Sequence, residues 1–237
     1  MDVEQRKSQI EELSSILNLA DQLKLPFLQI LKETELEELG LKASLNNIKT
    51  SAEFALKLLD SYLLSARLSS QDIELIEEPL SINSILYDCG HVLDQLAKQY
   101  GVLIEMNSNS KNFPILGNKT GLESALISLG SSLIESVGTI QGSDLKIYLV
   151  SHRTRYGVVA GIYAKNLPAS IASLKLAQKI KGLSQQPFPS LIPSAGSGVL
   201  IANNIFKLMN LKLYPSRYSK LNGLSTILKI SQQLQLI

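Results

Sequence analysis

The chain has 237 residues, 45% of them hydrophobic, 19% charged and 5% aromatic, with no Trp. That suits one large domain or two small ones of aliphatic, globular texture. A single cysteine (Cys89) excludes an internal disulfide framework and a Cys-rich zinc module, and two histidines (His91, His152) cannot build a His-rich metal centre. The formal net charge of +2 hides a split: residues 1–78 carry 15 acids against 8 bases, residues 79–237 carry 6 against 15, and no acid follows Asp144. An even scatter would place about eight acids in the last 93 residues, so this segment cannot supply a carboxylate to a metal, a base or an adenine amine. No stretch approaches the roughly 20 apolar residues of a membrane span. The N-terminal Met1-Asp2-Val3-Glu4 is acidic where a secretory signal is basic, so a cytoplasmic protein is expected.

From about Lys7 to Leu39, apolar residues recur every three or four positions (Ile10, Leu13, Leu17, Ala20, Phe27), apart from one gap at Lys24. The spacing predicts a helix of roughly 30 residues, about 45 Å long, ending at Gly40. In a second helix, Leu45, Ile48, Ala52, Ala55, Leu59, Tyr62 and Ala66 form a coiled-coil type of seam, so the two make an antiparallel hairpin. Further apolar residues lie off that seam, among them Ile16, Leu19, Leu23 and Leu28 on the first helix and Phe54, Leu56, Leu58, Leu63 and Leu64 on the second. One facing helix cannot cover them all, which points to a homodimeric four-helix bundle through residues 7–69.

A polar linker at Ser70 to Pro79 divides this hairpin unit (1–78) from a mixed α/β unit (79–237). The expected elements of the second unit are a helix at 82–99, strands at 102–106 and 113–116, and a helix from Asn118 as N-cap to about Glu135. An antiparallel strand pair at 145–150 and 156–163 follows, then a helix at 168–182, a Pro/Ser-rich loop at 183–197, a helix at 199–209, and strands at 211–215 and 224–230. The expected fold class is α+β: a long helical hairpin followed by a sandwich of a mostly antiparallel sheet backed by about three helices.

This order of elements resembles the catalytic core of bacterial histidine kinases, in which a dimerising hairpin precedes an ATP-binding domain of the gyrase/chaperone/kinase type. Ala20-Asp21-Gln22-Leu23-Lys24-Leu25-Pro26-Phe27 has the cadence of the family's phosphoacceptor box, and Gly196-Ser197-Gly198-Val199-Leu200 resembles its late glycine box. Glu78-Pro79-Leu80 and Gly223-Leu224-Ser225-Thr226 resemble its linker opening and closing strand. Residue by residue, the resemblance implies lost chemistry. Asp21 stands at the phosphorylated His, Gln22 at the acid beside it, and Leu25 at the residue that holds the phosphatase water, while Pro26 keeps the box proline. Ser128 and Ser132 fall at the two Mg²⁺-binding Asn positions, and Ala164 and Asn166 lie where the adenine-reading Asp and its Gly-x-Gly belong. Gly196 and Gly198 survive, but Leu200 replaces the third glycine, where a side chain would crowd the approach to phosphate.

The resemblance with these departures implies a histidine kinase-like pseudokinase of two-component signalling, with no catalytic residues, no metal, and neither ATP nor Mg²⁺ bound. Such a protein works by dimerisation and by binding a response regulator or a related kinase. Asp21 reads either as a phosphomimic charge or as a solvated helix-surface carboxylate. Two alternatives stand beside this reading: a divergent active histidine kinase or phosphotransferase with another acceptor such as His91, and an adaptor whose basic C-terminal unit docks an acidic protein. Nucleic acid is not an expected partner, because the 12 bases after Asp144 are dispersed and aromatic interleaving is sparse.

Overall fold

The computed structural model describes residues 23, 26–28, 30–37, 39, 45–69, 75–108, 114–138, 145–165, 167 and 197–231. Residues 30–37 are helical and are called α1. The elements that follow are α2 (Leu45–Ser69), β1 (Glu78–Ser81), α3 (Ile82–Gln99), β2 (Leu103–Ser108), β3 (Pro114–Gly117) and α4 (Lys119–Gly138). Then come β4 (Lys146–Thr154), β5 (Gly157–Ala164), α5 (Ser197–Leu208), β6 (Tyr214–Tyr218) and β7 (Leu221–Ile230).

The seven described strands form one sheet in the order β1-β3-β7-β5-β4-β2, with β6 also on β7. β3 pairs with the end of β7 (Ile115↔Ile230) and β6 with its beginning (Tyr214↔Ser225), so β3 and β6 share the edge of β7 that β5 leaves free. Among these strands β2 and β4 run parallel, and the other pairs are antiparallel.

Local chemistry sets the helix ends. Ser81 caps α3 by accepting from the Ser84 amide at 3.3 Å. At its far end the Tyr100 and Val102 amides both donate to the Ala97 carbonyl, and Gly101 takes the left-handed conformation (φ 64°) that the tight exit needs. Asn118 caps α4 as expected: its Oδ1 accepts from the Gly121 amide at 2.9 Å. Its Nδ2 donates to the Ile76 carbonyl at 3.0 Å, which ties the approach to β1 onto the start of α4.

α4 is the central helix, buried on every side from Ala125 to Val137. Leu122 lies against Gly117 of β3, and Leu126, Leu129, Leu133 and Val137 continue its line along the helix. Gly130 and Gly138 admit Leu93 and Tyr100 from the α3 side; a Cβ at Gly130 would collide with Leu93 Cδ1. Gly121 lies beside Met209, just past α5.

Most expected elements within the described residues stand within a few residues of their places, and three corrections stand out. Residues 78–81, read as the end of the linker and the approach to the first helix, form strand β1, and the strand expected at 211–215 is β6 at 214–218. The expected hairpin seam on α2 is not its most buried face: Leu45 is 81% exposed, Ala66 is exposed, and only Ala55 of the seam is wholly buried. The buried stripe runs instead through Ser51, Phe54, Leu58, Ser61 and Ser65, at spacings of three and four, because α2 packs against α4 and α5. Phe54 and Leu58 belong to the same hydrophobic cluster as the sheet and its helices. The helix expected at 168–182 lies outside the described residues, as do most of the hairpin's first helix and of the 183–197 loop.

Candidate functional site

Of the residues singled out in the phosphoacceptor-like box, Asp21, Gln22 and Leu25 lie outside the described residues, and Pro26 is buried in a helical stretch. In the nucleotide-site-like set, Asn166 and Gly196 also lie outside them. Ser128, Ser132, Ala164 and Gly198 are placed, and Leu200 is placed by its backbone in the first turn of α5.

Ser128 and Ser132 sit in the middle of α4, one turn apart, both wholly buried. Neither Oγ has a hydrogen-bond partner among the described residues. Ser131 Oγ instead donates to the Ser128 carbonyl at 2.9 Å, and Ser136 Oγ to the Ser132 carbonyl at 2.8 Å. Gly121, Ser128, Ser132 and Glu135 follow at spacings of seven, four and three, so they share one stripe of the helix, on a different face from the leucine line. Gly121 abuts Met209, which turns this stripe toward α5. A buried hydroxyl without a partner forfeits its hydration, at a cost of about 1–3 kcal/mol.

Ala164 ends β5, opposite Ile147 of β4 and Asn222 of β7, and its methyl is buried. The residue after it, Lys165, is exposed. Register brings Asn222 beside Arg217 of β6, whose Nε donates to Asn222 Oδ1 at 3.3 Å. The strand end at Ala164 is therefore flanked by bases, in keeping with the acid-free C-terminal composition.

α2 packs on the helices that back the sheet. Asn204 Nδ2 of α5 donates to Ser65 Oγ at 2.8 Å, and Gln99 Nε2 at the end of α3 donates to Ser51 Oγ at 3.5 Å. Sequence reading missed this contact. Its signal was the alternation of Ser51, Ser61 and Ser65 with Phe54 and Leu58 on one stripe, which differs from the all-apolar seam of a coiled coil.

A second polar cluster lies on the sheet. Tyr163 Oη and Ser216 Oγ are 3.0 Å apart, and Ser216 Oγ and Ser225 Oγ 2.7 Å apart. Tyr218 stacks its ring against both Tyr163 and His152, at 5.7 and 5.2 Å between centroids. His152 Nδ1 is buried without a partner among the described residues, and burial lowers the imidazole pKa. A lowered folded pKa means that the unfolded chain binds the proton more tightly. Stability is then full above the unfolded value of about 6.5 and falls as pH drops below it. The thermal midpoint is expected to drop more between about pH 7.5 and pH 5.5 in the native protein than in His152→Gln, measured by calorimetry; equal drops would contradict this.

Elsewhere, Cys89 is buried in α3 and burial raises its thiol pKa, so it is an inert structural thiol. His91 is exposed, its ring edge-on to Tyr87 at 4.7 Å between centroids. No helix among the described residues is long and apolar enough to cross a membrane.

No protein-family model and no curated protein matches this sequence. Solved structures do. The fold is similar to the histidine kinase AdeS of Acinetobacter baumannii at a TM-score of 0.52 and 12% identity, over 89% of this chain and 98% of that one. It is also similar to full-length ShkA in complex with AMPPNP, at a TM-score of 0.54 and 15% identity, over 94% of this chain and 46% of that one. Identities this low speak to fold alone. With a mostly antiparallel sheet backed by helices and preceded by a long helix, the chain has the fold of a histidine kinase-like core.

Proposed function

We propose that this is a cytoplasmic, two-component-type signalling pseudokinase that acts by dimerisation and partner binding, without ATP-dependent autophosphorylation. Its partner is a response regulator or a related active kinase. The observation that carries this reading is the state of α4: at the two positions where the resemblance asks for Mg²⁺-binding amides, Ser128 and Ser132 are wholly buried hydroxyls. A sealed hydroxyl offers no oxygen to a hydrated cation, and the methyl of Ala164 cannot accept from an adenine amine. The residues present do not fit Mg-ATP.

Dimerisation is supported by the hairpin surface. Phe27, Leu28 and Leu31 are 51–56% exposed near and on α1, and Leu56 and Leu63 are 60% and 46% exposed on α2. Leu45, Leu56 and Leu63 are spaced by eleven and seven residues, one line along the side of α2 turned away from α4 and α5. The hairpin can thus pair with a second copy while its other face stays on the α/β unit.

The test is incubation of the purified chain with radiolabelled ATP and Mg²⁺, alone and with an active histidine kinase. No acid-labile phosphate on this chain in either mixture is the expected result. Label acquired by the chain alone would replace this reading with that of a divergent active kinase.

A further inference from the structure

We propose that the bases at one end of the sheet, Lys165, Arg217 and Lys220, form a docking rim for an acidic segment of a partner protein. This gives the partner-binding reading above a surface and a chemistry. It rests on that reading for its biological use only, since the charge of the rim is independent of the state of α4.

Three observations carry it. The first is placement. β4, β5, β7 and β6 lie side by side, and their register sets Ala164 opposite Asn222 and Asn222 opposite Arg217. Strands about 4.8 Å apart therefore put Lys165, which follows Ala164, roughly 10 Å from Arg217. Lys220 joins them from the turn between Tyr218 and Leu221, where Ser219 takes the left-handed conformation (φ 56°).

The second is the lack of neutralisation. Lys49, Lys98 and Lys119 each meet an acid one turn away on their own helix, and Lys146 meets Glu105 of β2 at 2.8 Å. Lys165, Arg217 and Lys220 have no carboxylate partner among the described residues, and the strands β4 to β7 contain no acid. Unpaired cations about one Debye length apart add to a single positive potential, which an acidic surface complements.

The third is preorganisation. Arg217 is exposed, and Asn222 Oδ1 accepts from its Nε at 3.3 Å, which orients the guanidinium and leaves its terminal nitrogens for a forked grip on a carboxylate. Lys165 and Lys220 are exposed as well, so the three reach a partner without rearrangement of the fold. An acidic protein segment fits this rim better than single-stranded nucleic acid does, because the rings beside it are engaged. Tyr163 is buried, and Tyr218 stacks against it and against His152, so no bare stacking platform accompanies the bases.

The experiment titrates a fluorophore-labelled octaglutamate peptide with the full chain, read by anisotropy at low and at physiological salt. The expected result is saturable binding that weakens as salt rises. Lys165→Glu with Arg217→Glu should weaken it about tenfold or more. Arg155→Glu with Lys229→Glu makes the same change in net charge at exposed positions at the opposite end of the sheet, and should weaken it less than about threefold. If Arg217→Glu unsettles the Asn222 contact, Lys165→Glu with Lys220→Glu makes the same change at the rim without it. Equal weakening by the rim pair and the distant pair would overturn the rim, because net charge alone would then govern binding, and so would an absence of binding by the native chain. An octathymidine oligonucleotide bound about tenfold tighter than the peptide would overturn the acidic-protein occupant in favour of nucleic acid. Label transferred from ATP to the chain would overturn the pseudokinase reading instead and leave these titrations as they stand.

Discussion

Leu58→Ala is expected to destabilise the whole chain by about 2–5 kcal/mol, although the residue sits on the hairpin helix and not in the α/β unit. Leu58 is 1% exposed and belongs to one hydrophobic cluster with Leu93, Leu126 and Ile205, so its truncation opens a cavity where α2 meets the helical layer. Leu56, two residues earlier and 60% exposed, is the control: Leu56→Ala should change monomer stability by no more than about 0.5 kcal/mol. Denaturant unfolding of both variants measures the difference. Equal small effects would mean that α2 contributes nothing to the core.

The second large effect is expected at Gly223. Its position in β7 opposite Tyr163 leaves no room for a side chain: a Cβ there would collide with the Ile162 carbonyl oxygen and stand 2.5 Å from Tyr163 Cδ1. Backbone cannot yield as a flexible side chain can, and Tyr163 is held by Ser216 and by the Tyr218 ring. Gly223→Ala should therefore cost about 3 kcal/mol or more. Gly101→Ala makes the contrast. It meets open space at φ 64° and suffers only backbone strain, about 1–2 kcal/mol. A Gly223→Ala variant as stable as the native chain would contradict the described β5–β7 register.

Much of the fold was legible because its signals are local. The alternation in Lys146–Thr154 and Gly157–Ala164 announces a strand pair, and Asn118 marks a helix start through a cap that the structure contains. β1 was missed because Glu78-Pro79-Leu80-Ser81 is short and contains proline; it is tolerated there because β1 is an edge strand. The α2 stripe was misread for a different reason. Phe54 and Leu58 were visible as surplus apolar residues, but whether a surplus faces a second helix, a second copy or the chain's own sheet-backing helices is decided by tertiary packing.

The site was legible in part. Asn118 fixes the register that places Ser128 and Ser132, and the acid-free stretch after Asp144 needs no register at all. What composition could not give is burial: a serine hydroxyl reads the same in sequence whether it faces solvent or, like these two, is sealed inside a helix packed on every side. Nor could it show that α5 reaches α2 through Asn204 and Ser65, residues 139 positions apart.

The measurement that bears most directly on the central claim is isothermal calorimetry of Mg-ATP into the full chain, with the apo protein shown to be folded by circular dichroism. The account predicts no binding heat at micromolar to millimolar nucleotide, because neither Ser128, Ser132 nor Ala164 offers the groups that Mg-ATP requires. Saturable binding with a low-micromolar Kd would contradict it.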